Sequence, residues 1–94
     1  EQPSPEMEAL IGKDKYESFF EMAKTHILKM DRNSESFLPQ AAQKIVSTAL
    51  EQEYGEKVTK DPGYPQMEKT LTKKILDDPR YREMVEEFLK TLSL

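Results

Sequence analysis

Residues 38–55, LPQAAQKIVSTALEQEYG, constrain the fold more than any other stretch of the chain. Leu38, Ala41, Ala42, Ile45, Val46, Ala49 and Leu50 recur at three- and four-residue steps. That spacing places them on one face of a helix. The small alanines on this face let neighbouring helices approach closely. The stretch therefore reads as a central helix with others packed around it. Pro39 is tolerated in a first turn, where the missing N–H has no intrahelical partner anyway. Ser36 is the expected cap, and Gly55 can adopt the left-handed conformation that closes a helix.

The flanking segments supply the packing partners. Asp14 is the expected N-cap of a helix that precedes the central one, with Glu17 three residues on as in a capping box. Tyr16, Phe20, Ala23, Ile27 and Met30 make its stripe, widened by Phe19 and Met22. Asp31, Arg32, Asn33 and Ser34 end it with turn-forming residues. Asp61, Pro62 and Gly63 signal a turn within a loop after the central helix. Pro65 then restarts a helix with a narrow stripe of Met67, Leu71 and Ile75, and with Lys69, Lys73 and Lys74 expected on the other face. A narrow stripe predicts a peripheral helix. Asp78 and Pro79 break it and open the last helix, whose broad face holds Tyr81, Met84, Val85, Phe88, Leu89 and Leu92.

These elements predict an all-α fold, a compact four-helix bundle-like domain with helices over about 14–31, 37–54, 65–77 and 79–93. Residues 1–6 read as a flexible linker and residues 7–94 as one helical domain. Met7, Leu10 and Ile11 read as a short turn over one end of the core. At 94 residues the chain can bury one modest core. It starts at Glu1, which reads as a domain of a larger protein or a processed chain.

Composition narrows the function. The chain has no cysteine, so disulfides, thiolate catalysis and Cys-based zinc sites are excluded. With no signal-peptide pattern, the expected location is intracellular, cytoplasmic or nuclear. No apolar run reaches membrane-spanning length, so no membrane role is expected. The net charge of −4 disfavours nucleic acid as a partner. Charge is uneven, however: residues 57–82 hold seven cations and four anions, while residues 1–56 hold six and eleven.

No Gly-rich phosphate loop, HExxH or EF-hand pattern occurs, and the carboxylates sit on apparent solvent faces. The expectation is a non-enzymatic domain with no cofactor, metal or catalytic residue. Its expected role is protein–protein interaction or oligomerisation, with another protein or a second copy as partner. The candidate partner-binding residues are Tyr54 and Tyr64 beside the loop, Tyr81, Met84, Phe88 and Leu92 on the last helix, and Lys69, Lys73 and Lys74. Those lysines alone would make the alternative, an adaptor for an acidic ligand.

One further alternative rests on His26, the only histidine, with Lys29 three residues later. His-x-x-Lys resembles the phosphoacceptor site of histidine phosphotransfer domains, which are acidic four-helix bundles. The resemblance implies His26 as acceptor and Lys29 as the cation that neutralises the phosphate. That family has glycine after the lysine, where this chain has Met30. The order of an alanine-bearing helix, a loop, a short helix and a final MVEEFL helix is also somewhat similar to N-terminal dimerisation domains of some centrosomal proteins. The LisH motif of those domains does not lay residue by residue onto residues 71–92.

Overall fold

The computed structural model describes residues 12–92. The linker expected at residues 1–6 and the turn expected at Met7, Leu10 and Ile11 lie outside them. Four helices follow in order: α1 (Lys13–Ile27), α2 (Phe37–Tyr54), α3 (Tyr64–Asp77) and α4 (Pro79–Thr91). A 3-10 turn (Glu56–Lys60) joins α2 to α3, and no strand occurs among the described residues. The fold is an all-α, four-helix bundle-like one.

α1 starts one residue before the expected cap. Gly12, at φ 101°, occupies the N-cap position, and its carbonyl accepts from the N–H groups of Lys15 and Tyr16. Asp14 is therefore not the cap. It sits in the first turn, where a negative charge still complements the helix dipole. The far end is also corrected: α1 stops at Ile27, not near residue 31. The Lys29 and Met30 N–H groups donate to carbonyls three residues back, tightening the last turn. The Asp31 carboxylate then accepts the Asn33 N–H at 3.0 Å, giving the backbone a turn to follow in place of a helix.

The central helix runs over Phe37–Tyr54, with Ser36 at the cap position. The Ser36 hydroxyl makes no capping bond; it lies 2.9 Å from the Ser34 hydroxyl. Gly55 closes the helix at φ 84° and ψ 169°, a conformation that side chains beyond glycine adopt only under strain. In the next turn the Asp61 carboxylate accepts the Gly63 N–H at 2.8 Å, and the Asp61 carbonyl accepts that of Tyr64 at 2.9 Å. Asp78 alone separates α3 from α4. It is extended, as a residue before proline should be, and its carboxylate accepts the Arg80 N–H at 2.9 Å.

The fully enclosed core is built from three of the four helices. α1 gives Tyr16, Phe19, Ala23 and Ile27; α2 gives Ala41, Ala42 and Ile45; α4 gives Val85, Phe88 and Leu89, with Leu92 just past its end. Phe19, not Phe20, carries the deepest ring of α1 (0% exposed), because Phe20 is turned to the half-buried edge. Phe88 joins α4 to α1: its ring centroid lies 5.5 Å from Phe19, 6.0 Å from Phe20 and 6.4 Å from Tyr16. Such tilted and edge-on ring pairs add to the stabilisation from burial. α3 is peripheral, as its narrow stripe predicts. It buries Tyr64 and Thr72, while Ile75 and Leu76 pack on the core only half-buried.

Candidate functional site

The peripheral seat of α3 leaves part of α2 uncovered. Val46, Ala49 and Leu50 follow one another along α2 on the side where α3 presents Leu71 and Ile75. The first turns of α4 close the third side with Pro79, Tyr81, Met84 and Val85. The result is a groove of about 980 Å³, open to solvent and mainly apolar. Lys74, Asp77 and Asp78 are its charged lining residues. Met67, one turn before Leu71 on α3, is 36% exposed and extends the same apolar stripe.

The local sequence explains the geometry. The single-residue corner at Asp78, fixed by Pro79, sets α4 off from α3. α4 then sends its first turns along the groove and its later turns into the core. Tyr81 is 38% exposed, and the Arg80 guanidinium lies 5.3 Å from its ring centroid. A cation over an exposed ring gives a weak attraction that biases the ring's orientation. The Arg80 side chain also stands 3.7 Å from the Asp78 carboxylate.

The residues named from sequence divide among several places. Tyr81, Met84 and Lys74 come together on the groove wall; Lys74 is thereby corrected, since it shares the Leu71 and Ile75 side of α3 and not the opposite face. Lys69 and Lys73 are exposed on α3 but do not line the groove. Tyr54 is 66% exposed at the end of α2, away from the lining. Phe88 and Leu92 are corrected: both are buried in this chain's own core, so neither can meet a partner in the folded state. Tyr64 is corrected too. It is the first residue of α3 and 7% exposed, because the turn at Asp61 and Gly63 folds it inward. Leu50, read from sequence as core, is half-buried and lines the groove. With Val46, Ala49, Leu71 and Ile75 it belongs to a wall that no motif marked; a narrow stripe on α3 facing a wide one on α2 was the available signal.

Tyr64 sits in a perturbing environment. Its hydroxyl is buried, and no acceptor meets it at full hydrogen-bond geometry. Burial first, then the neighbouring Glu68 carboxylate as acceptor and charge, and the charge of Glu51, push the phenol up to about 12, with Ser47 opposing. It lies outside the groove lining and reads as a packing residue. His26 is exposed in the last turn of α1, and Lys29 lies in the turn beyond that helix. Among the described residues no group of three or more His, Asp or Glu side chains can hold a metal ion, and no helix is long and apolar enough to cross a membrane.

Comparison with family models, with curated proteins and with solved structures gives no match.

Proposed function

We propose that this chain is a non-catalytic protein–protein interaction domain that receives an apolar helix in the groove between α2, α3 and α4. The observation that supports it is the groove itself. Leu50, Leu71, Ile75 and Met84 line a solvent-open channel on three rigid helices, with an exposed Tyr81 at its edge. An amphipathic helix docks in such a channel through side chains at three- and four-residue steps, and it removes apolar surface from water on both partners. Tyrosine suits the edge, having an apolar body and a polar tip.

The test has two stages. Light scattering over a concentration series fixes the mass of the full chain. If it self-associates, Leu71→Glu and Met84→Glu each return it to a monomer, with helix content by circular dichroism unchanged. If it is a monomer, an amphipathic helical peptide with a leucine stripe shifts the methyl resonances of Leu71, Ile75 and Met84, and both variants abolish that effect. Self-association untouched by both variants refutes the proposal. So does a monomer whose groove methyls answer to no such peptide.

A further inference from the structure

The chain enters α1 at one end of the groove. Glu53 follows Val46, Ala49 and Leu50 at the seven-, four- and three-residue steps that hold one face of α2, so it stands just past the groove on the same side of that helix. The Lys15 ammonium lies 3.6 Å from the Glu53 carboxylate. On the α4 side, the Tyr16 ring meets that of Phe88 at 6.4 Å, one turn beyond Met84 and Val85. Two contacts, one on each wall, thus bring the first turn of α1 to the same end of the channel.

Gly12 opens that turn at φ 101° and ψ 137°, outside helical space, so the chain before it leaves the axis of α1. Eleven residues precede it, EQPSPEMEALI. Met7, Leu10 and Ile11 stand at the three- and four-residue steps of one helix face. Ser4 and Pro5 ahead of them and Gly12 behind them are residue types that open and close a short helix. On a helix, Met7 to Ile11 spans about 6 Å, against about 7.5 Å for the groove stretch of α2 from Ile45 to Leu50. Ile11 adjoins Gly12, and Met7 is tied to it by five residues, a reach of up to about 17 Å. The stripe therefore needs no further linker to enter the groove.

We infer that Met7, Leu10 and Ile11 of the same chain occupy the groove, packed against Leu50, Leu71 and Met84. The segment removes from water the apolar walls that the described helices leave open. Being tethered at the channel's end, it acts at high effective concentration. Its consequence rests on the groove being a docking site: a partner helix must first displace this segment, so the chain carries its own competitor.

The experiment uses the full, isotope-labelled chain at a concentration where light scattering gives a monomer. Nuclear Overhauser contacts are expected between the methyls of Met7, Leu10 or Ile11 and those of Leu50, Leu71 or Met84. A Met7→Ser, Leu10→Ser, Ile11→Ser triple variant should keep its helix content by circular dichroism and shift the groove methyl resonances. With the groove open in about one parent molecule in ten, the variant should bind a leucine-striped helical peptide roughly tenfold more tightly than the parent does.

Absence of the methyl contacts, or equal measurable affinity for the peptide in parent and variant, overturns the inference and leaves the groove a docking site. Absence of the contacts together with silence of both forms towards the peptide overturns both. Contacts in the parent with no peptide bound by either form uphold the occupant and remove the docking site, because the segment is then a permanent part of the packing. Contacts that arise only between labelled and unlabelled copies, as the chain dimerises, overturn the inference by giving the groove to a second copy.

Discussion

Phe88 provides the sharpest check on how this chain divides between core and surface. Its ring is 0% exposed, and the rings of Tyr16, Phe19 and Phe20 all approach it within 6.4 Å. Phe88→Ala removes the one side chain of α4 that meets three rings of α1, and the rigid helices cannot collapse fully onto the void. Truncations of this kind cost about 3–5 kcal/mol. At about 0.05–0.15 kcal/mol per residue, a chain of this length has a total stability of roughly 5–14 kcal/mol. The variant should therefore lose roughly a fifth of it or more, and its Tm should fall by roughly 15–30 °C. Met84 lies a turn earlier on the same helix, half-buried on the groove wall. Met84→Ala should cost only about 1 kcal/mol, since much of that side chain is already in water. Urea unfolding followed by circular dichroism measures both, and Phe88→Leu keeps the series measurable if the alanine variant does not fold. A Phe88→Ala variant within about 1 kcal/mol of the parent, or one less damaged than Met84→Ala, would refute the placement of the core.

Three smaller predictions bear on the helix ends and the buried phenol. The folded-state pKa of Tyr64, about 12, lies above its ordinary value of 10.0, so the stability it contributes is complete below pH 10 and is lost as pH rises towards 12. The difference amounts to at most about 2–3 kcal/mol. Tyr64→Phe should remove this alkaline loss; equal alkaline slopes in urea melts at pH 8 and 11 would contradict it. Asp78→Ala removes the one side-chain cap bond seen at a helix start among the described residues and should cost about 1 kcal/mol, with Asp78→Asn restoring most of it in the same assay. Gly55→Ala should cost about 1–3 kcal/mol from backbone strain alone, since nothing lies within 4 Å of the added methyl; a neutral result would mean that α2 does not close at φ 84°.

Local chemistry made the elements readable. Pro79 and Asp78 mark the start of α4, and Gly55 marks the end of α2, because each of those residues acts through its own backbone or its nearest neighbours. The end of α1 was less readable. Met30 continues the apolar period past Ile27, but the Asp31 turn competes with the helix for the same backbone groups. Tyr64 shows a similar limit. Beside Pro62 and Gly63 it looks like a loop residue, yet the Asp61 turn aims it at α2, and only the position of α2 decides whether a ring there is wet or dry.

The groove was unreadable for a reason of the same kind. Tyr81, Met84, Val85, Phe88, Leu89 and Leu92 share one face of α4, and nothing in their spacing divides them. The division comes from α1. Its three rings enclose Phe88, while the groove half of α4 faces α2 and α3. α3 does not complete the cover, because Leu76 turns to the core and leaves only Met67, Leu71 and Ile75 as its apolar stripe on the groove side. A leucine at Lys74 would widen that stripe on the wall itself and give α3 more surface to bury against α4. The lysine keeps the wall charged and the channel open to water. The same side chain therefore keeps α3 from closing over the groove.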